Sequence, residues 1–318
     1  MEHEYYMKRC LQLAENGRQN AKPNPMVGAV IVAQNRIIGE GYHIRFGEGH
    51  AEVNAFASVK PEDEMLLNEA TIYVSLEPCS HYGKTPPCAD LIISKGIKRC
   101  VCGCVDPFAK VQGRGIQRMR DAGIEVIVGV MEKECLALNR RFITFNAKHR
   151  PYILLKWAQT LNGFISRKGG PLQLSTPKTQ MLVHQLRAEN DAILVGHTTF
   201  LTDHPRLDVR QWSGQNPERI VLSPTMAAQN ARPSNWTVAA TIDEVLAHLY
   251  ATKKQSLVVE GGRMTLQAFI DRGLWDEIRI ETAPVLMTDG VPAPHIPSDA
   301  HIEKTESIDG NQIITLCR

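Results

Sequence analysis

No stretch of the 318-residue chain reaches the roughly 18 consecutive apolar residues that a membrane-spanning helix needs. The opening MEHEYYMKRC lacks a basic flank followed by an apolar core, so no secretory leader is read there. Neither sign of charge is in excess. With 36 Lys+Arg against 34 Asp+Glu the formal net charge is +2, which gives no broad electrostatic footprint for a nucleic-acid backbone or an anionic membrane. The eight cysteines are too sparse for a disulfide scaffold, and a chain of this length can bury a core without staples. No internal repeat or low-complexity tract is present, and with 43% hydrophobic and 22% charged residues disorder, collagen and coiled coil are excluded. What is left is a cytoplasmic, two-domain globular protein with a small-molecule substrate and neither nucleic acid nor membrane as partner. The sequence leaves oligomeric state open, a homo-oligomer included.

What is there is an alternation of strands and helices. Residues 3–16 carry apolar positions at helical spacing, stopped by Gly17. PNPMVGAVIV and RIIGEGYH read as a β-hairpin about Ala33, Gln34 and Asn35, and HAEVNAFASV as a helix. TIYVSLE, RCVCGCV and IEVIVGV then read as strands separated by the helices PPCADLIISKG and GRGIQRMRDAG, a pattern that implies a three-layer α/β sandwich. In RCVCGCV, Cys100, Cys102 and Cys104 alternate and are expected on one buried face of a strand. MEKECLALNRRFITFNAKHRP reads as one more helix and a crossing tail. The boundary falls near residue 147, giving domains 1–147 and 148–318. The second half repeats the alternation: strands at PYILLKWAQ, DAILVG, RIVLS, SLVVEGG, DEIRIET and NQIITLC, helices at TPKTQMLVHQLRAEN, TIDEVLAHLY and MTLQAFIDRG.

Three soft ligands stand out in the first half. His50 opens a helix in GHAE, and Cys79 and Cys88 sit in EPC and PPC where strand loops pass toward helices. One imidazole and two thiolates suit tetrahedral Zn²⁺ with the fourth position open to water, the coordination of a catalytic rather than a structural site. Helix N-termini favour thiolate over thiol. Glu52, in the first turn after His50, is placed to carry a proton without ligating the metal. HxE followed by PC and a further Cys is the signature of zinc deaminases, although here the cysteines are nine apart rather than three. His81 and Lys84 lie in the loop between the cysteines, where a substrate phosphate would use them. Asn24, between two prolines, is placed either to read a ring edge or to cap a turn.

PNPMVGAVIV, GEGYH, HAEV, TIYVSLEPCSHYGKTPPCADLII and VDPFAKVQGRGI together resemble the bifunctional deaminase/reductase family of riboflavin biosynthesis. The resemblance spans most of residues 5–155, and the long loop between Cys79 and Cys88 is particular to that family among zinc deaminases. It continues, more patchily, through RPYILLKWA, HQLRAENDAILVG, TDHPRLDVR and LVVEGG. It implies a cytidine-deaminase-like three-layer α/β/α sandwich followed by a dihydrofolate-reductase-like α/β domain that uses NADPH. The implied reactions are hydrolysis of the ring 2-amino group of 2,5-diamino-6-(5-phosphoribosylamino)pyrimidin-4-one and reduction of its ribosyl group to ribityl. By the same resemblance Ala158, Thr199 and Asp203 face the dinucleotide, and Lys156, Arg187, Leu207, Arg210 and Glu260 the ribotide. Two arginines can hold a phosphate through forked donors, and Gly261-Gly262-Arg263 starts a helix suited to a pyrophosphate.

Some positions depart from the family pattern. Leu161-Asn162-Gly163-Phe164 stands where the family usually has Leu-Asp-Gly-Lys, and Pro171 and Gln173 replace a Ser and a Trp. Between Val221 and Thr241 the chain is short, and Pro224 replaces a polar residue, so a shortened strand region with weakened NADPH affinity is expected there. Two other readings stand beside the bifunctional one: a deaminase whose C-terminal domain is a degenerate, non-catalytic holder, and a protein whose zinc is only structural.

Overall fold

The computed structural model describes residues 2–82, 86–106, 112–167, 172–231 and 233–318. The chain divides into two compact units, residues 1–148 and 149–318.

In the first unit, helix α1 (Glu2–Glu15) precedes the hairpin β1 (Gly28–Ala33) and β2 (Arg36–Tyr42). Gln34 and Asn35 both take left-handed φ, 50° and 56°. That is the two-residue turn whose twist matches that of antiparallel strands. Helix α2 (Ala51–Ala57) follows, then a 3₁₀ segment (Pro61–Glu69), β3 (Thr71–Val74), α3 (Cys88–Ser94), β4 (Arg99–Cys102), α4 (Arg114–Asp121), β5 (Glu125–Val128), α5 (Glu132–Leu138) and α6 (Arg140–Lys148). The sheet order is β2-β1-β3-β4-β5, antiparallel about β1 and parallel from β3 to β5. Strand β1 is buried on both faces. Ala29, Ile31 and Ala33 pack with α2, α3 and α4, whereas Val30 and Val32 pack with α1 and α5. Successive side chains point to opposite faces of a strand, so one run of small aliphatics serves two helical layers.

Two expectations are corrected here. The segment after β5 is two helices, broken at Asn139, whose side chain bonds elsewhere in the unit. Cys100 and Cys102 share the layer of α2 to α4, but Cys104 packs in the other layer with Cys10 and Cys135. Strand β4 ends at Cys102, so the alternation that predicted one face stops two residues early.

The second unit contains β6 (Tyr152–Thr160), β7 (Phe164–Ser166), α7 (Pro177–Glu189), β8 (Ala192–Gly196), α8 (His197–Asp203), β9 (Glu218–Leu222), α9 (Pro224–Ala228), β10 (Thr237–Ala239), α10 (Ile242–Ala251), β11 (Ser256–Val259), α11 (Arg263–Asp271), β12 (Glu277–Ala283), β13 (Val291–Pro292), β14 (His301–Ile308) and β15 (Asn311–Cys317). Its main sheet runs β10-β9-β8-β11-β6-β12-β15-β14, parallel from β10 to β12 and antiparallel beyond, while β7 and β13 pair separately. Helices α10 and α11 cover one face, and α7 and α8 pack with the other. The chain leaves β6, runs outward through β8, β9 and β10, and returns to insert β11 between β8 and β6. The carboxyl ends of these strands are therefore a topological switch point, where open α/β sheets place ligands. The short stretch after Val221 keeps its strand. Three-residue β10 extends the sheet beside β9, and Pro224 is the first residue of α9, capped by the Ser223 side chain accepting from Met226 N.

Candidate active sites

His50 has extended backbone immediately before α2, and Cys88 is the first residue of α3. Cys79 lies in the loop ahead of α3 rather than at a helix start of its own. It is lashed to that helix: Cys88 N donates to Cys79 Sγ (3.3 Å) and Ala89 N to Cys79 O (3.1 Å). His50 Nδ1 lies 3.6 Å from Cys79 Sγ and 3.4 Å from Cys88 Sγ. A tetrahedral zinc with Zn–S near 2.3 Å and Zn–N near 2.0–2.1 Å requires ligand atoms about 3.5 Å apart, so the donor set fits that ion. Among the described residues this is the one such group of metal-binding side chains.

Glu52 is buried in the first turn of α2, 3% exposed. Burial, and then the charge of Cys79, push its carboxyl up to about 7. The two thiols are unequal: the hydrogen bond from Cys88 holds Cys79 down to about 4, and the same bond with burial pushes Cys88 up. A cation bound between the two sulfurs would hold both as thiolates.

A cavity of about 240 Å³ opens onto these groups, with Asn24 and His81 at its wall. Lys84 lies outside the described residues. Several lining residues were not singled out in the sequence. His43 Nδ1 meets the Gly49 carbonyl (3.1 Å) and its Nε2 meets Asn24 Nδ2 (3.1 Å). With Nδ1 as donor, Nε2 accepts from Asn24, and the Asn24 amide is held in one orientation. Burial keeps His43 below the usual histidine pKa, in keeping with this neutral form. Glu77 is also buried, and its carboxylate accepts from the backbone N–H of Asp106 (3.2 Å), Gly113 (2.9 Å), Gly115 (2.9 Å) and Ile116 (3.4 Å). A β-carbon at Gly115 would fall 2.0 Å from the Pro78 carbonyl oxygen, so only glycine allows this approach. The signal was present as an acid before Pro-Cys and a later Gly-Arg-Gly, but only the fold joins them. Phe142 and Asn146, both on α6, complete the wall from a segment read as a crossing tail.

In the second unit the starts of α8 and α11 come together. A β-carbon at Gly261 would lie 3.2 Å from Gly196 N, and one at Gly262 3.3 Å from Thr199 Oγ1. Thr199, Gly261 and Gly262 are thus neighbours, with Arg263 as the first residue of α11, while Asp203 ends α8 on the surface. Arg187 pairs with Glu260 (Nη2–Oε2 2.7 Å) and also reaches the Asp208 carbonyl (3.4 Å), which His184 Nδ1 meets at 2.7 Å. Arg210 pairs with the Asp208 carboxylate, so Arg187, Arg210 and Glu260 belong to one polar cluster. Lys156, one residue beyond the Leu155–Val259 register pair, adds its charge to Glu260. Ala158 lies on β6 opposite Glu281.

Leu207 does not fit a side-chain contact with ligand. It is 4% exposed and packs against Leu154, Ile193, Val195 and Val258, leaving only its backbone for such a role. Of the departures, Asn162 serves the turn after β6, its Nδ2 donating to Met287 O (2.6 Å) and its Oδ1 accepting from Thr160 Oγ1 (2.9 Å). Gln173 is exposed and donates to Ser175 O, and Pro171 lies outside the described residues.

Residues 1–104 match the cytidine and deoxycytidylate deaminase zinc-binding region, and residues 151–307 match the RibD C-terminal domain. A riboflavin biosynthesis protein RibD from Aquifex aeolicus is 38% identical over 317 residues, covering 90% of this chain and 88% of the relative. The chain belongs to the RibD family. A RibD from Bacillus amyloliquefaciens is 34% identical over 341 residues, covering 96% and 90%. Among solved structures, a diaminohydroxyphosphoribosylaminopyrimidine deaminase/5-amino-6-(5-phosphoribosylamino)uracil reductase from Thermotoga maritima superposes with a TM-score of 0.90 at 35% identity, covering 99% of this chain and 98% of that one. Acinetobacter baumannii RibD gives 0.86 at 29% identity, again covering 99% and 98%. With both RibD regions present, this is a bifunctional deaminase and reductase of riboflavin biosynthesis, its first unit of the zinc-binding, cytidine-deaminase-like kind. A C-terminal half kept only as a degenerate holder is not favoured. The reductase domain points to a nucleotide cofactor, and among the described residues no helix is long and apolar enough to cross a membrane.

Proposed function

We propose that the first unit hydrolyses the 2-amino group of 2,5-diamino-6-(5-phosphoribosylamino)pyrimidin-4-one and that the second reduces the ribosyl group of the product with NADPH. The observation that carries the first half is the three donor atoms of His50, Cys79 and Cys88 at tetrahedral-zinc spacing beside buried Glu52. Zinc bound there supplies Lewis acidity, which lowers the pKa of water toward neutrality. Glu52 takes the proton from the attacking water and delivers it to the departing ammonia. Asn24, oriented by His43, reads the ring edge, and His81 with Lys84 receives the phosphate side of the ribotide. In the second unit Gly261, Gly262, Arg263 and Thr199 cradle the cofactor pyrophosphate, joined by Ala158 and Asp203. Arg187, Arg210 and Lys156 hold the ribotide, Glu260 accepts from its hydroxyls, and Leu207 contributes backbone.

The test is incubation of the zinc-loaded protein with the ribotide, with and without NADPH, followed by mass analysis. Hydrolysis raises the mass by about 1 Da and reduction by about 2 Da more. A product stopped at the first increment with NADPH present would leave only the deaminase assignment standing. Equal kcat/KM for the ribotide and its dephosphorylated form would remove the phosphate role of the His81 loop.

A further inference from the structure

We infer that Phe142 is a specificity-determining residue of the deaminase, the plate on which the pyrimidine ring lies, and that Asn139 is the positioning residue that sets it; this rests on the deaminase reading above. The cavity that holds His50, Glu52 and Cys79 is lined by further imidazoles, carboxylates and amides, while Pro25, Val27, Leu76 and Phe142 supply aliphatic and aromatic side chains to its wall. Phe142 is the one phenyl ring among its lining residues. A diaminopyrimidinone has polar edges and two apolar π-faces, and the polar groups around the metal ligands can satisfy only the edges. A face needs an aromatic or aliphatic surface.

Helix α6 delivers Phe142 by an unusual attachment. Asn139, immediately before that helix, is 2% exposed, and its side-chain amide accepts from Met26 N (2.8 Å) while donating to Met26 O (2.9 Å). This two-way bond copies the pairing of one strand with another across 113 residues of chain. It fixes the start of α6 to the backbone two residues beyond Asn24. The Asn139 carbonyl also accepts from Ile143 N (2.9 Å), so the same residue opens the helix. One turn beyond Phe142, Asn146 Nδ2 donates to the Phe142 carbonyl (2.8 Å) and its side chain joins the wall. The clamp therefore couples the surface that meets the ring face to the loop that meets the ring edge.

Stacking on an unreacting face is the same in the ground and transition states, so its removal raises KM and spares kcat. Phe142→Ala is expected to retain zinc and raise the ribotide KM roughly 5- to 100-fold, with kcat within about twofold. Phe142→Tyr should stay near wild type, and Phe142→Leu should fall between. Asn139→Ala should raise KM in the wild-type background and add nothing in the Phe142→Ala background, a coupling that general loosening would not produce. Equilibrium binding of the deaminated ribotide to the protein with Phe142 and Asn139 intact and to each Phe142 or Asn139 variant is measured in parallel in an Arg210→Ala background, which disables the second unit's own site for that compound. That separates failure of this inference from failure of the deaminase reading, which would show as absent hydrolysis by zinc-loaded wild type. Wild-type affinity and KM in a folded Phe142→Ala protein would overturn the proposal. If that variant does not fold, wild-type affinity in Phe142→Leu would overturn it equally.

Discussion

Glu52 and Glu260 are both largely buried carboxylates, and their neighbours drive them in opposite directions. Glu52 has burial and a thiolate beside it and is pushed up, whereas at Glu260 burial is outweighed by Arg187 and Lys156, which hold it below the ordinary carboxylate range. A depressed folded-state pKa contributes stability that is complete above the unfolded value, about 4.3, and is lost as pH falls through the folded value. Glu260→Gln should therefore melt earlier than wild type above pH about 5, by roughly 2 kcal/mol, with the gap closing in more acid solution. Melting curves across that range check it, and a gap that widened with acid would contradict the assignment. For Glu52 the expectation is geometric. Glu52→Gln should keep the metal, because the ligand set is untouched, while deamination falls at least about 100-fold. The Cys79→Ser, Cys88→Ser double variant should lose zinc by elemental analysis, and full occupancy in it would mean the ligands are elsewhere.

At the scale of elements, the first unit's site depends heavily on side chains that grip distant backbone, beside the His43–Asn24 side-chain pair. Glu77 ties residues 106, 113, 115 and 116 to the loop that carries Cys79. Removing a buried acceptor leaves each donor short by about 1–3 kcal/mol. Glu77→Ala should speed amide exchange at the start of α4 and weaken zinc retention against a chelator by roughly 10- to 100-fold, the usual loss when a ligand's supporting bonds are cut. Unchanged exchange and retention would reduce Glu77 to a bystander. The sequence showed the elements that depend on local pattern. Helix α1 follows its apolar spacing, the first hairpin its Gln34-Asn35 turn, and the strand and helix alternation the layered sheets. The grouping of His50, Cys79 and Cys88, with Glu52 in the first turn after His50, was legible because metal chemistry restricts residue type and spacing. Contacts distant in sequence were not. Asn139 lies inside a stretch that reads as one helix, and its bond to Met26 is made across the fold; Leu207, assigned to the ribotide by resemblance, has its side chain in the core, which leaves its backbone for that role. Strand β14, HIEKTESI, is exposed along most of its length at the sheet edge and carries no apolar alternation to read.

Over the whole molecule, each unit has its own sheet and its own buried clusters, and each carries one half of the chemistry. The two halves differ in what they consume. Hydrolysis takes up water and releases ammonia without oxidation, whereas ribosyl reduction needs a hydride, so a block in the first unit deprives the second only of its substrate and a block in the second leaves the first fully supplied. Glu52→Gln should leave the ribotide unchanged yet add about 2 Da to the deaminated ribotide when NADPH is present. If Arg210 holds the ribotide phosphate and Thr199, Gly261 and Gly262 hold the cofactor as proposed, Arg210→Ala should stop at the deaminated product while still binding NADPH saturably. Mixing the two variants should restore full conversion, the intermediate released by one chain being reduced by the other. Its rate should rise with the concentration of the Glu52→Gln protein, which supplies the intact reductase. If the mixture accumulates deaminated product while Glu52→Gln reduces that same compound added from outside, the intermediate does not leave the chain that makes it. If Glu52→Gln cannot reduce it at all, the two activities are not separable in the way their separate cores and sites imply.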